Sequence, residues 1–165
     1  LGDVYKRQAY CRPATSNLLL LGSQDPDCDS QEWVDDPDNF DREVSDQQWQ
    51  AQVFRQAQRI PTLPIPGQAK GIVDLYDVSD DWIPIYDKSD LGGFYMAVGT
   101  SGNQYKNGPT AGFLMAELID ACQNGRDHDR DPVVIRWRIT GIELNTSFFS
   151  RNREIHTNSS FSVLG

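Results

Sequence analysis

An α+β fold is what this sequence predicts, and three observations predict it. Two stretches carry helical periodicity, one opening at Ser45 and one at Pro109. Several short apolar runs, among them Leu18 to Leu21, Phe94 to Val98 and Val133 to Ile139, have the length of strands rather than helices. Glycine and proline punctuate the intervals between them. With 165 residues, 38% hydrophobic and 24% charged, the chain has ordinary globular composition and on length alone suggests one domain with one core.

In chain order, Asn17-Leu-Leu-Leu-Leu-Gly22 reads as a short buried strand ended by glycine. From Asp25 to Asp46 ten acids face the single base Arg42, with Pro26 and Pro37 between them, which marks a surface loop. Ser45 can cap the next helix, and Gln48 completes a capping box; Trp49, Val53, Ala57 and Ile60 then share one face. Pro61, Pro64, Pro66 and Gly67 stop that helix and stiffen the connector. Ile72 to Val78 alternates as a strand does, and Trp82 to Tyr86, with Pro84 inside it, reads as an edge or irregular strand. Leu91-Gly92-Gly93 turns the chain into Phe94 to Val98, a buried strand that Gly99 ends. Pro109 suits the first turn of a helix capped by Asn107 or Gly108, with Leu114, Leu118, Ala121 and Cys122 as its buried stripe and Gly125 as its stop. Val133 to Ile139 is the last expected strand, and a polar tail follows.

Charge and cysteine usage narrow the function classes. Lys and Arg total 15 against 24 Asp and Glu, a net charge of -9, which repels phosphate backbones and anionic lipid, so neither nucleic acid nor membrane is an expected partner. No apolar run approaches the roughly 20 residues of a membrane helix. Cys11, Cys28 and Cys122 are odd in number and form no CxxC pair, as suits free thiols in a reducing, cytoplasmic setting. Leu1 to Gln8 has no continuity with the pattern that follows and reads as an extraneous leader. His128 and His156 stand apart, without metal-ligand spacing, and read as surface residues.

The segment with chemical promise lies between the strand ending at Val98 and the helix opening at Pro109. Its residues Thr100, Ser101, Gly102, Asn103, Gln104, Tyr105 and Lys106 form a glycine-containing turn able to aim several backbone N–H groups at one electron-rich atom. A serine hydrolase is one alternative, because Gly99-Thr-Ser101-Gly-Asn103 sits between strand and helix as a nucleophile elbow does, although Asn103 replaces the second glycine. A calcium-binding module is another, prompted by Asp25, Asp27 and Asp29, although Ser30 and Asp36 stand where an EF-hand has glycine and glutamate.

The spaced motifs YCRP…LLLLGS (10–23), a helix ending in RIP, GIVDLYDVSDDWIPIYD (71–87) and GFYMAVGTSGNQYKNGP (93–109) occur in the order seen in the C-terminal half of the D-amino-acid oxidase superfamily. The chain resembles most the sarcosine, glycine and dimethylglycine oxidoreductase branch. FFSRNREI and SSFSVLG add a weaker likeness further on. The resemblance implies the C-terminal half of a two-domain flavoprotein, with part of an antiparallel substrate-domain sheet over 9–90, the returning strand, turn and helix of the FAD domain over 91–125, and a C-terminal strand and tail over 126–165.

The same resemblance implies oxidation of a small amine or amino acid by hydride transfer to FAD, with oxygen or a protein as electron acceptor. Ser101, Gly102, Asn103, Gln104 and Tyr105 would then line the flavin ring, Lys106 would also touch the cofactor and anchor the substrate carboxylate, and Tyr76 would face the substrate. Fixed N–H donors near the flavin N1 and C2 carbonyl would stabilise charge as it forms. Asp74 stands where some relatives carry the cysteine that tethers FAD, so a thioether cannot form there and non-covalent FAD is expected. Asn103 and Tyr105 replace the histidine and phenylalanine usual in the turn. No two of the glycines stand two residues apart, so the G-x-G-x-x-G grip on a dinucleotide is missing from the sequence. The chain is therefore expected to be a partial sequence that binds FAD weakly or not at all by itself.

Overall fold

The structure, a computed structural model, describes residues 9–23, 31–102 and 104–161. The chain divides into two compact units, Leu1–Leu75 and Tyr76–Gly165. Among the described residues the architecture is mixed, with two α-helices and three two-stranded antiparallel sheets. Among the described residues no helix is long and apolar enough to cross a membrane.

In the first unit, strands β1 (Ala9–Ala14) and β2 (Leu18–Ser23) form an antiparallel hairpin. Its tight turn takes positive φ at Ser16 and Asn17, 61° and 58°, and the Leu18 N–H donates to Thr15 O across it. Two positive φ values in succession match the twist of a hairpin. Strand β2 forms as its leucine run predicts, but it is not buried: Leu18, Leu19 and Leu20 remain exposed. A hairpin with one helix against it has no second layer to cover both faces of such a run. Strand β1, which carries Pro13 and Arg12, has no alternation by which to be read in advance.

Residues 31–44 are irregular and mostly exposed, in keeping with a surface loop. Asp36 and Asp41 each accept a backbone N–H two residues on, from Asp38 and Glu43. Asp25, Asp27, Asp29 and Cys28 lie outside the described residues. Helix α1 (Asp46–Ala57) begins where its cap predicts, with Ser45 Oγ accepting the Gln48 N–H at 3.2 Å. Val53 is buried, Trp49, Ala57 and Ile60 are half-buried on the same face, and the helix packs on the hairpin.

No strand forms over residues 72–78 despite the alternation there. Ile72 is exposed, and among the described residues no segment supplies a ladder of hydrogen bonds, without which alternation alone does not make a strand.

The second unit is built on β3 (Ile85–Lys88) and β4 (Tyr95–Val98), antiparallel with Ile85 opposite Val98. Strand β3 starts three residues later than the pattern suggests. Trp82 closes a turn at φ 60°, donating its N–H to Ser79 O, and Pro84 has no N–H for a ladder. Strand β4 is also less buried than expected, since Ala97 and Val98 are exposed: among the described residues β3 is its one sheet neighbour. Helix α2 (Gly108–Gln123) packs on this ribbon with Leu114 and Leu118 buried and Ala121 and Cys122 half-buried, as the stripe predicts. Gly125, at φ 88°, ends it: Gly125 N–H donates to Cys122 O and Arg126 N–H to Ala121 O. A left-handed residue there is what closes such a C-terminus, and glycine takes that conformation without a Cβ penalty.

The expected last strand is cut to β5 (Val134–Arg136), because the chain turns back at Trp137, whose N–H donates to Ile142 O. It pairs with β6 (Glu143–Asn145), which lies in the supposed polar tail and leads into a 3-10 turn over Thr146–Phe149. Tyr86, Leu114, Val133 and Ile135 form the buried core of the unit, with Met115, Trp137, Leu144 and Phe149 packed against it.

Two arginines clamp the tail to the region of β3. Arg153 meets Asp81 in a paired contact, Nε to Oδ2 at 3.0 Å and Nη2 to Oδ1 at 2.6 Å, with Asp81 buried and the Arg153 side chain 9% exposed. Asp81 also accepts from the Ser79 hydroxyl and from the N–H groups of Ile83 and His156. The Arg153 bond above all holds the Asp81 carboxyl far below the usual carboxylate range. Arg151 joins fully buried Asp87 to Asp129 and Asp90, while Lys88 also pairs with Asp129 at 2.5 Å. Asp129 is held well below its usual range by Arg151 first and Lys88 second. His128 is no surface residue: it is 2% exposed, its Nδ1 accepts the Val133 N–H at 3.3 Å and its Nε2 lies 3.6 Å from Asp87 Oδ1. His156 is half-buried, with its ring against Phe148.

Candidate functional site

The strand-turn-helix singled out in the sequence is present within the second unit: β4, a turn over Gly99 to Gly102, a 3-10 turn over Tyr105–Asn107, then α2. Asp77 fixes the turn. Its two carboxylate oxygens accept the N–H and the hydroxyl of Thr100, and its carbonyl accepts the Ser101 N–H at 2.9 Å. Burial pushes the Asp77 carboxyl up, but the Thr100 hydroxyl and backbone bonds outweigh it and leave the group below its ordinary value. Two of the turn's N–H groups are therefore already engaged inside the protein. Gly102 N–H has no partner among the described residues.

Ser101 is fully buried at φ 51°, and its hydroxyl donates to Gly99 O at 3.1 Å. That position in the left-handed region costs a non-glycine residue about 1–2 kcal/mol, and the Asp77 clamp is what maintains it. Asn103 lies outside the described residues. Gln104 Oε1 accepts the Tyr86 hydroxyl and the Asn107 side-chain N–H, both at 3.0 Å. Asn107 stands at the N-cap of α2, one of the two expected capping positions, but spends its side chain on Gln104 and makes no side-chain cap bond.

A hollow of about 470 Å³ opens beside this turn, walled by Tyr76, Tyr86, Ala97, Gly102, Gln104 and Tyr105 among others. Four residues expected at the site, Tyr76, Gly102, Gln104 and Tyr105, thus meet at one place. Lys106 does not: it is exposed in the 3-10 turn and forms no part of the wall. Ser101 sits beneath the turn rather than on the wall. Tyr86 was not foreseen as a site residue, although it stands in the quoted WIPIYD motif; it is 5% exposed, and burial pushes its phenol up. Among the described residues no group of three or more metal-ligating side chains comes together.

Gly102 is the tightest position in the wall. A Cβ there would lie 2.8 Å from Tyr76 Cε1, and its φ is 77°. Gly102→Ala is expected to lose about 1–2 kcal/mol from the backbone conformation and to swing the half-exposed Tyr76 ring out of the hollow. Urea unfolding measures the first effect. NMR contacts between the Tyr76 and Tyr86 rings measure the second, and an unmoved Tyr76 ring would contradict it.

No protein-family model, curated protein or solved structure matches this chain.

Proposed function

We propose that the chain is the C-terminal part of an FAD-dependent oxidoreductase that oxidises a small amine or amino acid, of the D-amino-acid oxidase type. The observation that carries the reading is the convergence of Tyr76, Gly102, Gln104 and Tyr105 on one aromatic-walled hollow, although Tyr76 is far from the others in sequence. The hollow has the size of a small-molecule site. Gly102, without a Cβ, lets the Tyr76 ring lie directly against the backbone of the turn and so narrows the hollow to an aromatic wall on that side. When bound, flavin supplies the hydride-accepting chemistry.

In this reading Gly102 N–H offers a fixed donor to developing negative charge, and Tyr76 closes the substrate side of the hollow. Asp77 holds the turn rigid, so the donor does not have to reorganise. Lys106, exposed and off the wall, reaches a substrate carboxylate only if that carboxylate lies at the mouth of the hollow. The serine-hydrolase alternative is weaker: Ser101 Oγ is buried and committed to Gly99 O, and the two histidines are engaged elsewhere in the unit.

The chain as it stands is expected to purify without flavin colour. Extended through its reading frame upstream of Ala9, it is expected to gain a strand, a G-x-G-x-x-G turn and a helix, and to purify yellow. An upstream frame without that unit, or an extended protein that stays colourless, overturns the proposal.

A further inference from the structure

One residue, Val133, ties the start of the β5–β6 ribbon to its surroundings through both of its peptide groups. Val133 donates its N–H to His128 Nδ1 at 3.3 Å, and its carbonyl accepts both the N–H and the hydroxyl of Thr146, at 3.0 and 2.8 Å. Val133 and Ile135 are in the core, and the ribbon leads directly to Ser150 and Arg151, which bind Asp87. An imidazole nitrogen that accepts a hydrogen bond carries no proton, so His128 is held as the tautomer with its proton on Nε2, towards Asp87.

We propose that His128 is an acid-operated latch on this ribbon: neutral, it holds the Val133 N–H; protonated, it sets a second donor against that N–H and releases it. The groups facing the imidazole pull both ways. Asp87 of β3 and Asp129 of the loop after α2 favour the imidazolium, while Lys88 of β3 and Arg126 of the same loop oppose it. Burial is the largest influence and holds the imidazole below its ordinary value of 6.5. Folding thus lowers the affinity for this proton. The stabilisation is complete above about pH 6.5, the unfolded value, and is lost as the pH falls below it towards the folded one. In that interval the ratio of latched to open ribbon falls by up to about tenfold per pH unit. The clamped carboxylates do not contribute there, because their losses begin below about pH 4.

The test is amide exchange at Val133 in the whole chain between pH 8 and pH 5, corrected for intrinsic rates. Protection is expected to be flat above pH 6.5 and to fall below it. His128→Asn places an amide oxygen near the Nδ1 position, an acceptor that does not titrate, and is expected to abolish the slope; His156→Gln is expected to leave it intact. Should His128→Asn fail to fold, nitrogen NMR of the unmodified chain decides: an unprotonated Nδ1 and a His128 midpoint below 6.5 sustain the latch. A midpoint at or above 6.5, or flat Val133 protection across the range, overturns it.

Discussion

Arg153→Ala is expected to destabilise the second unit by roughly 3–5 kcal/mol, the usual result of stripping one partner from a buried ion pair. The remaining Asp81 carboxylate would keep its bonds from Ser79, Ile83 and His156 but lose both guanidinium contacts, its main source of stabilised charge. Domains are stable by only about 5–15 kcal/mol, so a large part of the margin goes with one side chain. The sign with pH follows from the depressed Asp81 value: the pair contributes fully above about pH 4 and is lost as the pH falls below that. Urea unfolding at neutral pH should therefore show the full difference between the parent and Arg153→Ala, and the two curves should approach each other in acid. Asp81→Ala added to Arg153→Ala should recover part of the loss, since no buried charge is then left unpaired. A loss below about 1 kcal/mol would mean that the pair is no more than a surface contact.

The second large effect belongs to Leu114. This residue is 3% exposed and lies in the cluster with Tyr86, Val133 and Ile135, at the point where helix, β3 and the β5–β6 ribbon meet. Leu114→Ala is expected to cost about 2–5 kcal/mol, the transfer energy of the lost carbons plus the cavity they leave. Because Tyr86 is a core neighbour and also walls the hollow, the same change should loosen the Tyr86–Gln104 hydrogen bond. Thermal unfolding gives the stability, and the titration of the Tyr86 phenol, raised by burial in the parent, should move back towards its ordinary value. Leu114→Met, close in volume, should do neither.

Features encoded within a few residues were legible in the sequence. Ser45 begins a helix because its hydroxyl needs only Gln48, and Gly125 ends one because the left-handed cap needs only the preceding turn. The turn from Gly99 to Gly102 was legible for the same reason. Strands were harder, since each needs a partner chosen by the whole fold. Leu18 to Leu21 found one in β1, residues 72–78 found none, and Val133 to Ile139 was shortened by the reversal at Trp137. Strand β6 lay hidden in polar sequence because Glu143 and Asn145 face outward and Leu144 alone reaches inward.

Burial of charge was the least legible property. Asp81, Asp87 and His128 look like solvent-facing residues until Arg151 and Arg153 arrive from far along the chain. At the candidate site, Tyr76 came from resemblance, whereas Tyr86 joined through a packing arrangement that no local pattern encodes. The engagement of Thr100 and Ser101 by Asp77 was equally invisible, because a bond across 23 residues leaves no periodic trace.

Those distant arginines also set a clock. Strand β3 and its neighbours carry acids whose partners lie 64 and 72 residues downstream. At about 5–20 residues per second, a ribosome takes roughly 3 to 14 s to make that interval. During this time Asp81 and Asp87 have no guanidinium to enter the interior with, and burying either carboxylate unpaired is costly. The second unit is therefore expected to close only after the short basic stretch that carries Arg151 and Arg153 has been made.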